Sequence, residues 1–341
     1  MQRLVTLLFF LGTLCATAAQ ATETLRVLAW PGYADGDLVQ AFEQQFDVRV
    51  EVTLVDSDAV LAQKIGAKQG GDFDVVAANT VEIKRYIDRK WLQPLTAPNM
   101  PNIARQLLRF RNAKAIPGIT HLGDVYAVPY TFSEMGLIYD RKQFKAPPTS
   151  LTVLWDPAYQ GRILAFDGSS HNYSIVSLAF GGEPFQIDDA AYARVTKHLI
   201  DLRRNVLTFY SLSEESVALF KQHNVAVLFA NYGQQQFKQL RDSGADVGYV
   251  IPKEGALAWL DCWAVTRGAR NKLLAERWIN YMLEPKVSVE LTRRQGLGNT
   301  LDASANTLET DKILWLEPVE NDQRRAALWL RFMSGDRPER F

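Results

Sequence analysis

LRVLAWPGYADGDLVQAFEQQFDVRVEVTLV (25–55) decides the fold. LRVLAW (25–30) is apolar, rich in branched residues and stopped by Pro31-Gly32, which reads as a strand. Asp35 or Asp37 then stands where a helix cap belongs, and Leu38, Ala41, Phe42 and Phe46 follow at helical spacing. VRVEVTLV (48–55) alternates apolar and polar, the period of a strand. A second helix is expected from Ala59 to Lys68, and FDVVAAN (73–79) is a short buried strand. This β-α-β-α-β order with short connections means a parallel sheet covered by helices. Ligands of open α/β sheets gather at the carboxyl ends of the strands. Those ends carry Trp30 and Asn79.

The pattern recurs downstream. The segment 96–123 is loop-rich, with Pro98, Pro101 and Pro117, and DVYAVPYTFSEMGLIYD (124–140) holds two short strands. GRILAFDGSSHNYSIVSLAF (161–180) and NVAVLFANYGQQQFKQL (224–240) each read strand, polar loop, helix. DVGYVIP (246–252) is another strand, Leu273 to Met282 a helix, and Pro285 opens the next one. The stretch 306–336 is expected to be helical. No repeat array or flexible linker separates the units, so two hinged lobes are expected rather than independent beads.

The chain has 341 residues, 38 Lys+Arg and 38 Asp+Glu. That balance argues against a nucleic-acid partner, which calls for a basic excess. The length exceeds what one core usually holds. MQRLVTLLFFLGTLCATAAQA (1–21) has a basic start, an apolar run and a small-residue A-x-A end, the pattern of a removable export signal. With Cys15 removed, Cys262 is left alone, so an exported chain has no internal disulfide to lean on. Cys262 reads as a small buried apolar residue. No G-x-S-x-G, H-E-x-x-H, C-x-x-C or phosphate-loop motif occurs, and His121, His171, His198 and His223 have no ligand spacing. GGDFD (70–74) reads as a turn and DGD (35–37) as a cap with a solvated acid. No catalytic residue, metal or cofactor is therefore expected.

ALAWLDCWAV (256–265) is the informative anomaly. An apolar strand places Asp261 between Trp259 and Trp263. A buried unpaired carboxylate costs several kcal/mol, so it needs a partner. On a strand, Trp259, Asp261 and Trp263 share a face. A carboxylate beside indole faces suits an ammonium, through charge-assisted hydrogen bonds and cation–π contact. The competing reading is a hinge aspartate satisfied by an arginine or by backbone amides. Trp263 is read as core.

LRVLAWPGYADGDLVQAFEQQF, FDVVAANT, YAVPYTF, WDPAYQGRI and PKEGALAWLDCWAV, in this order, resemble the bacterial periplasmic polyamine-binding proteins of the spermidine/putrescine branch of ABC-importer solute receptors. The resemblance spans nearly all of the mature chain and rests on the ordered set rather than on any single motif. It implies an α/β, type II, two-lobe periplasmic binding protein fold whose hinged lobes close on a ligand. The lobes are set at 22–131 plus 260–305 and at 132–259 plus 306–341, with hinge segments near 130–136 and 253–261. It implies a monomer in the periplasm that delivers a small-molecule amine to an ABC permease or, in some members, to a transmembrane sensor. The family's cleft residues match Trp30, Tyr33, Trp259 and Asp261 here.

Departures bear on the ligand. Pro31-Gly32 stands where some putrescine binders carry an acid. Gly168 and His171 stand where the spermidine type carries two acids, Asn231 replaces a cleft tryptophan, and Gln234 stands near an acid position. Asp261 is the acid that survives, and a shift of one residue in alignment would bring in Asp167. Ser169, Ser170 and His171 instead form a neutral polar start to a helix, where free amides favour an anion. Asn79 and Asn231 are further candidate contacts. The favoured ligand is a polyamine or diamine such as putrescine or spermidine. The alternatives are an ω-amino acid such as 4-aminobutyrate, a sensing role with a membrane kinase or cyclase and, remotely, an exported enzyme.

Overall fold

The computed structural model describes residues 22–302 and 312–336. The export signal read at 1–21 lies outside them, as does the start of the C-terminal stretch. The chain opens with β1 (Thr24–Ala29), α1 (Gly36–Phe46), β2 (Arg49–Leu54), α2 (Asp58–Gly66), β3 (Val75–Asn79) and α3 (Thr80–Asp88). The short helix α4 (Leu108–Arg111) and a small hairpin, β4 (Thr120–His121) with β5 (Asp124–Val125), lead into β6 (Ala127–Glu134) and β7 (Leu137–Asp140). Next come β8 (Ile163–Phe166), α5 (Ser169–Ala179), α6 (Asp189–Asn205), β9 (Thr208–Tyr210), α7 (Ser213–Gln222), β10 (Val227–Phe229), α8 (Gln234–Asp242) and β11 (Val247–Val250). The chain returns through β12 (Ala256–Val265), α9 (Lys272–Met282), α10 (Pro285–Gln295) and β13 (Gly298–Asn299). It ends with β14 (Ile313–Trp315) and α11 (Asp322–Met333).

Two sheets result. The first runs β13-β6-β12-β3-β1-β2, with β14 also paired to β12. Its β1, β2 and β3 are parallel, as the short β-α-β connections require. The second runs β11-β7-β10-β8-β9. Each sheet belongs to one lobe. The chain passes between them where β6 gives way to β7 and where β11 gives way to β12. At that crossing Met135 N–H donates to Leu257 O (2.7 Å), and Tyr249 Oη donates to Glu134 O (2.7 Å). The expected helix over 306–336 is corrected in part: 306–311 lie outside the described residues, 313–315 is a strand on β12, and among the described residues the helix spans 322–333.

The pairing of β12 sets up the site. Asp261 lies opposite Asn79 on β3 and opposite Thr131 on β6. The β6 register then slips by one residue, since Cys262 pairs with Pro129. Proline cannot donate to a ladder, so the slip falls where a hydrogen bond was already missing. Trp263 is fully buried and meets Tyr33, Tyr130 and Trp278 edge-on or tilted at 5.6–6.5 Å. Cys262 is buried and free. The GGDFD segment is a turn whose Asp74 is gripped by Arg26 (2.8 Å). Asp35 occupies the N-cap of α1 without bonding its amides, because Asp35 and Asp37 both bind Arg294 instead (2.7 and 2.7 Å).

Candidate functional site

Asp261 is only 7% exposed, and Tyr33 Oη donates to its Oδ2 at 2.6 Å. The partner sought for this carboxylate is thus in part within the chain, and it is a neutral donor rather than an arginine or a backbone amide. No ion pair to Asp261 forms among the described residues. Burial pushes its carboxyl up to about 7, and the Tyr33 bond only partly offsets that. The same contact, with burial, drives the Tyr33 phenol far above its usual range.

Trp30 and Trp259 are the two tryptophans expected near the acid. Trp30, half-buried where β1 ends, packs on both core clusters of the first lobe, and its buried Nε1 has no partner. Trp259 stands two residues before Asp261 on β12, and its Nε1 donates to Asn231 O (3.2 Å). Asn231 belongs to the second lobe, so Trp259 bridges the lobes beside the acid. Asn231 is 5% exposed, and its side chain is paired with the His171 imidazole. His171 packs against Phe166 at 5.7 Å, and burial lowers its imidazole to about 4.

The remaining expected residues stand elsewhere in the hydrogen-bond network. Asn79 caps α3, its Oδ1 accepting from the N–H groups of Val81 and Glu82, while its Nδ2 donates to Asp58 Oδ1 (3.1 Å). Ser170 Oγ donates to Asp322 (2.6 Å). Ser169 begins α5 beside it. Asp167 accepts from Trp329 Nε1 (2.7 Å). Gly32, where some relatives were expected to carry an acid, has φ +83°, and a Cβ there would lie 2.4 Å from Gln295 Nε2.

Sequence reading missed Asp58. It opens α2 behind the capping Ser57, so in a string it looks like an ordinary first-turn acid. In space Asn79 ties it to the position opposite Asp261. Its side is open to solvent, yet protein walls surround it. That partial withdrawal from bulk water, then the negative charges of Glu82 and Asp261, raise its carboxyl well above the usual range. Arg85 offsets this weakly because it is bound to Glu82 (2.6 Å) and to Asp322 of the second lobe (3.6 Å). At another point between the lobes Gln235 Nε2 donates to Gln295 Oε1 (3.1 Å). A surface pocket of about 410 Å³, lined by Trp155, Phe180, His198 and Asn205 among others, contains none of these residues. No metal-holding group of His, Cys, Asp or Glu occurs among the described residues.

The chain matches curated periplasmic receptors along most of its length. It is 25% identical over 279 residues to spermidine/putrescine-binding periplasmic protein 1 of Haemophilus influenzae, covering 81% of this chain and 75% of that protein. It is 27% identical over 293 residues to the putrescine-binding periplasmic protein PotF of Escherichia coli, covering 81% and 77%. Its fold is shared with the spermidine/putrescine ABC transporter substrate-binding protein PotD of Streptococcus pneumoniae. The TM-score is 0.77 at 20% identity, covering 92% of this chain and 99% of that one. Residues 37–315 match the bacterial extracellular solute-binding protein family, and the chain belongs to it.

Proposed function

We propose that this chain is a periplasmic receptor that captures a small amine, of the polyamine or diamine class, between its lobes and delivers it to an ABC importer. Asp261 carries the reading: a buried carboxylate without a counter-ion among the described residues, held by Tyr33 and with Trp259 two residues away on the same strand. An ammonium would supply the missing charge, with each desolvated ring adding about 0.5–2 kcal/mol. The names of the relatives support this choice of ligand class. The lobes divide near 22–131 plus 260–305 and 132–259 plus 306–341, corrected by the sheet pairing, which puts 132–134, 256–259 and 313–315 in the first lobe, and the receptor works as a monomer without catalysing a reaction. A thermal-shift series with amines and amino acids tests it. A ligand at a hundred times its Kd stabilises by about 2.7 kcal/mol. Absence of a shift with every primary amine would sink the reading.

A second reading rests on the start of α5. Ser169, Ser170 and His171 offer helix amides and no acid toward the far end of the ligand. That environment suits a carboxylate and hence an ω-amino acid such as 4-aminobutyrate. The same series separates the two. Delivery to a permease and signalling to a membrane sensor are separated by the genes beside this one.

A further inference from the structure

The cleft holds more negative charge than one ammonium can balance. Asp58 lies in the fields of Glu82 and Asp261, with Arg85 opposing them, while Glu82 also feels Arg89 and Asp322. Glu82 and Asp322 are balanced by Arg85 and Arg89, which leaves the charges of Asp261 and Asp58 over. Asp261 and Asp58 are the two without an ion pair among the described residues. Each has a neutral hydrogen-bond partner, Tyr33 and Asn79 respectively. Asn79 sits opposite Asp261 in the ladder and donates to Asp58, so one residue fixes the two acids relative to each other.

The facing wall supplies an independent observation. Asn231 is more than nine-tenths buried, and its side chain is paired with the His171 imidazole. Its backbone carbonyl holds Trp259, which places it beside the strand of Asp261. The next residue, Tyr232, feels the charge of Asp58 across the gap. An amide oxygen has two lone pairs, so beside His171 it can still accept from a ligand donor. Ammonium groups donate and do not accept. A carboxylate end would meet this oxygen and a net negative field.

Resting on the amine-receptor reading above, we infer that Asp58 is a second ammonium-holding carboxylate, so that Asp261 and Asp58 each take one end of a short aliphatic diamine. This assigns the ligand two positive charges. It disfavours the ω-amino acid, which brings no net charge to neutralise the pair.

The test is calorimetry at pH 8 with 1,4-diaminobutane, butylamine and 4-aminobutyrate on the wild type, Asp58→Asn, Asp58→Ser and Asp261→Asn. Thermal melts of each empty protein establish that it folds. Serine is a normal residue in a first helical turn, so it serves if asparagine disturbs α2. The wild type should prefer the diamine over both other ligands by tenfold or more, about 1.4 kcal/mol. Both Asp58 variants should bring the diamine to within threefold of butylamine and leave butylamine nearly unchanged. Asp261→Asn should weaken both amines. Unchanged diamine affinity in the Asp58 variants would overturn the inference while leaving the amine reading intact. Equal losses for diamine and butylamine would overturn it too, since Asp58 would then act only through its field on Asp261. Tightest binding of 4-aminobutyrate would overturn it in favour of the zwitterion. Failure of the wild type to bind any of the three would remove the amine reading itself, and this inference with it.

Discussion

The two walls of the cleft treat charge in opposite ways. On the second lobe the buried charge is matched: fully buried Arg325 binds Glu320 (2.6 Å), Ser174 Oγ and the carbonyls of Ser170 and Pro184. On the first lobe Asp261 and Asp58 have neutral partners alone. A matched buried charge serves the fold, because removing one member strands the other. An unmatched one lowers the stability of the empty protein and becomes favourable only when a cation arrives. The same amino-acid chemistry thus separates into scaffold and site by what stands within hydrogen-bond reach.

Arg325→Met should break the comparison hardest on the scaffold side. It leaves Glu320 without its guanidinium and should lower unfolding free energy by about 3–5 kcal/mol, read by urea titration. Amine affinity of the remaining folded protein should stay within about threefold. A large affinity loss with unchanged stability would erase the distinction between the walls. Asp261→Asn should give the mirror image. Amine affinity falls by about 2–5 kcal/mol, or roughly thirty- to several-thousandfold in Kd. The empty melting temperature at pH 8 stays level or rises, because a buried unmatched charge is gone. Retained affinity with a lowered melting temperature would assign Asp261 to the fold.

Tyr33→Phe removes the donor and keeps the ring that packs on Tyr130 and Trp263. A hydrogen bond to a charged group is worth about 1.5–3 kcal/mol, and calorimetry should show a loss in that range or below. The carboxyl of Asp261 should also move further upward.

Acidity sharpens the contrast. Asp261 titrates near 7 in the fold against 3.8 as its reference. A proton is therefore bound by the folded form and lost from the unfolded one between those values. Its contribution to the stability of the empty protein is full below about pH 4 and disappears as pH rises through 7. Ligand affinity runs the other way. The amine stays charged, since such groups titrate near 10.4. For a monoamine such as butylamine, ionised Asp261 is the attracting group, so its affinity should climb by roughly tenfold per pH unit for one linked proton up to pH 7 and then level off. Asp58 and Tyr33 are the titratable neighbours that bear on this curve. A flat profile from pH 5.5 to 8 would show that Asp261 is ionised throughout.

The smallest effect concerns closure. Arg85 and Asp322 form a half-exposed interlobe pair at 3.6 Å. Arg85→Ala should weaken amine binding by no more than about 1 kcal/mol, the worth of an exposed ion pair. It should also enlarge the radius of gyration of the empty form in small-angle scattering.

Much of the first lobe was legible because its strands and helices keep their periods cleanly, from β1 to β3. Asp261 was legible for the opposite reason, as a charge that violates the pattern of its strand. Tyr33 came through the family resemblance and not through spacing. Asp58 was invisible because a first-turn acid behind a serine cap is ordinary in sequence, and only the β3–β12 ladder brings it beside Asp261. Asn79 was read as a ligand contact from its strand-end position, but its oxygen caps α3 and its amide orients Asp58. The helix expected at 306–336 overlooked β14, whose three residues pair with β12, a partner some fifty positions earlier.

Gly32 ties two traits together. Its left-handed backbone and the nearness of Gln295 leave no room for a side chain. Gln295 is also the residue that reaches Gln235 of the other lobe. A lineage that placed an acid at position 32 to hold another ammonium would have to move Gln295 and loosen that contact in the same step. On the amine-receptor reading proposed above, selectivity and lobe closure would therefore be epistatic. Drift toward a new cargo has to pass through receptors that close less readily, unless position 295 changes first.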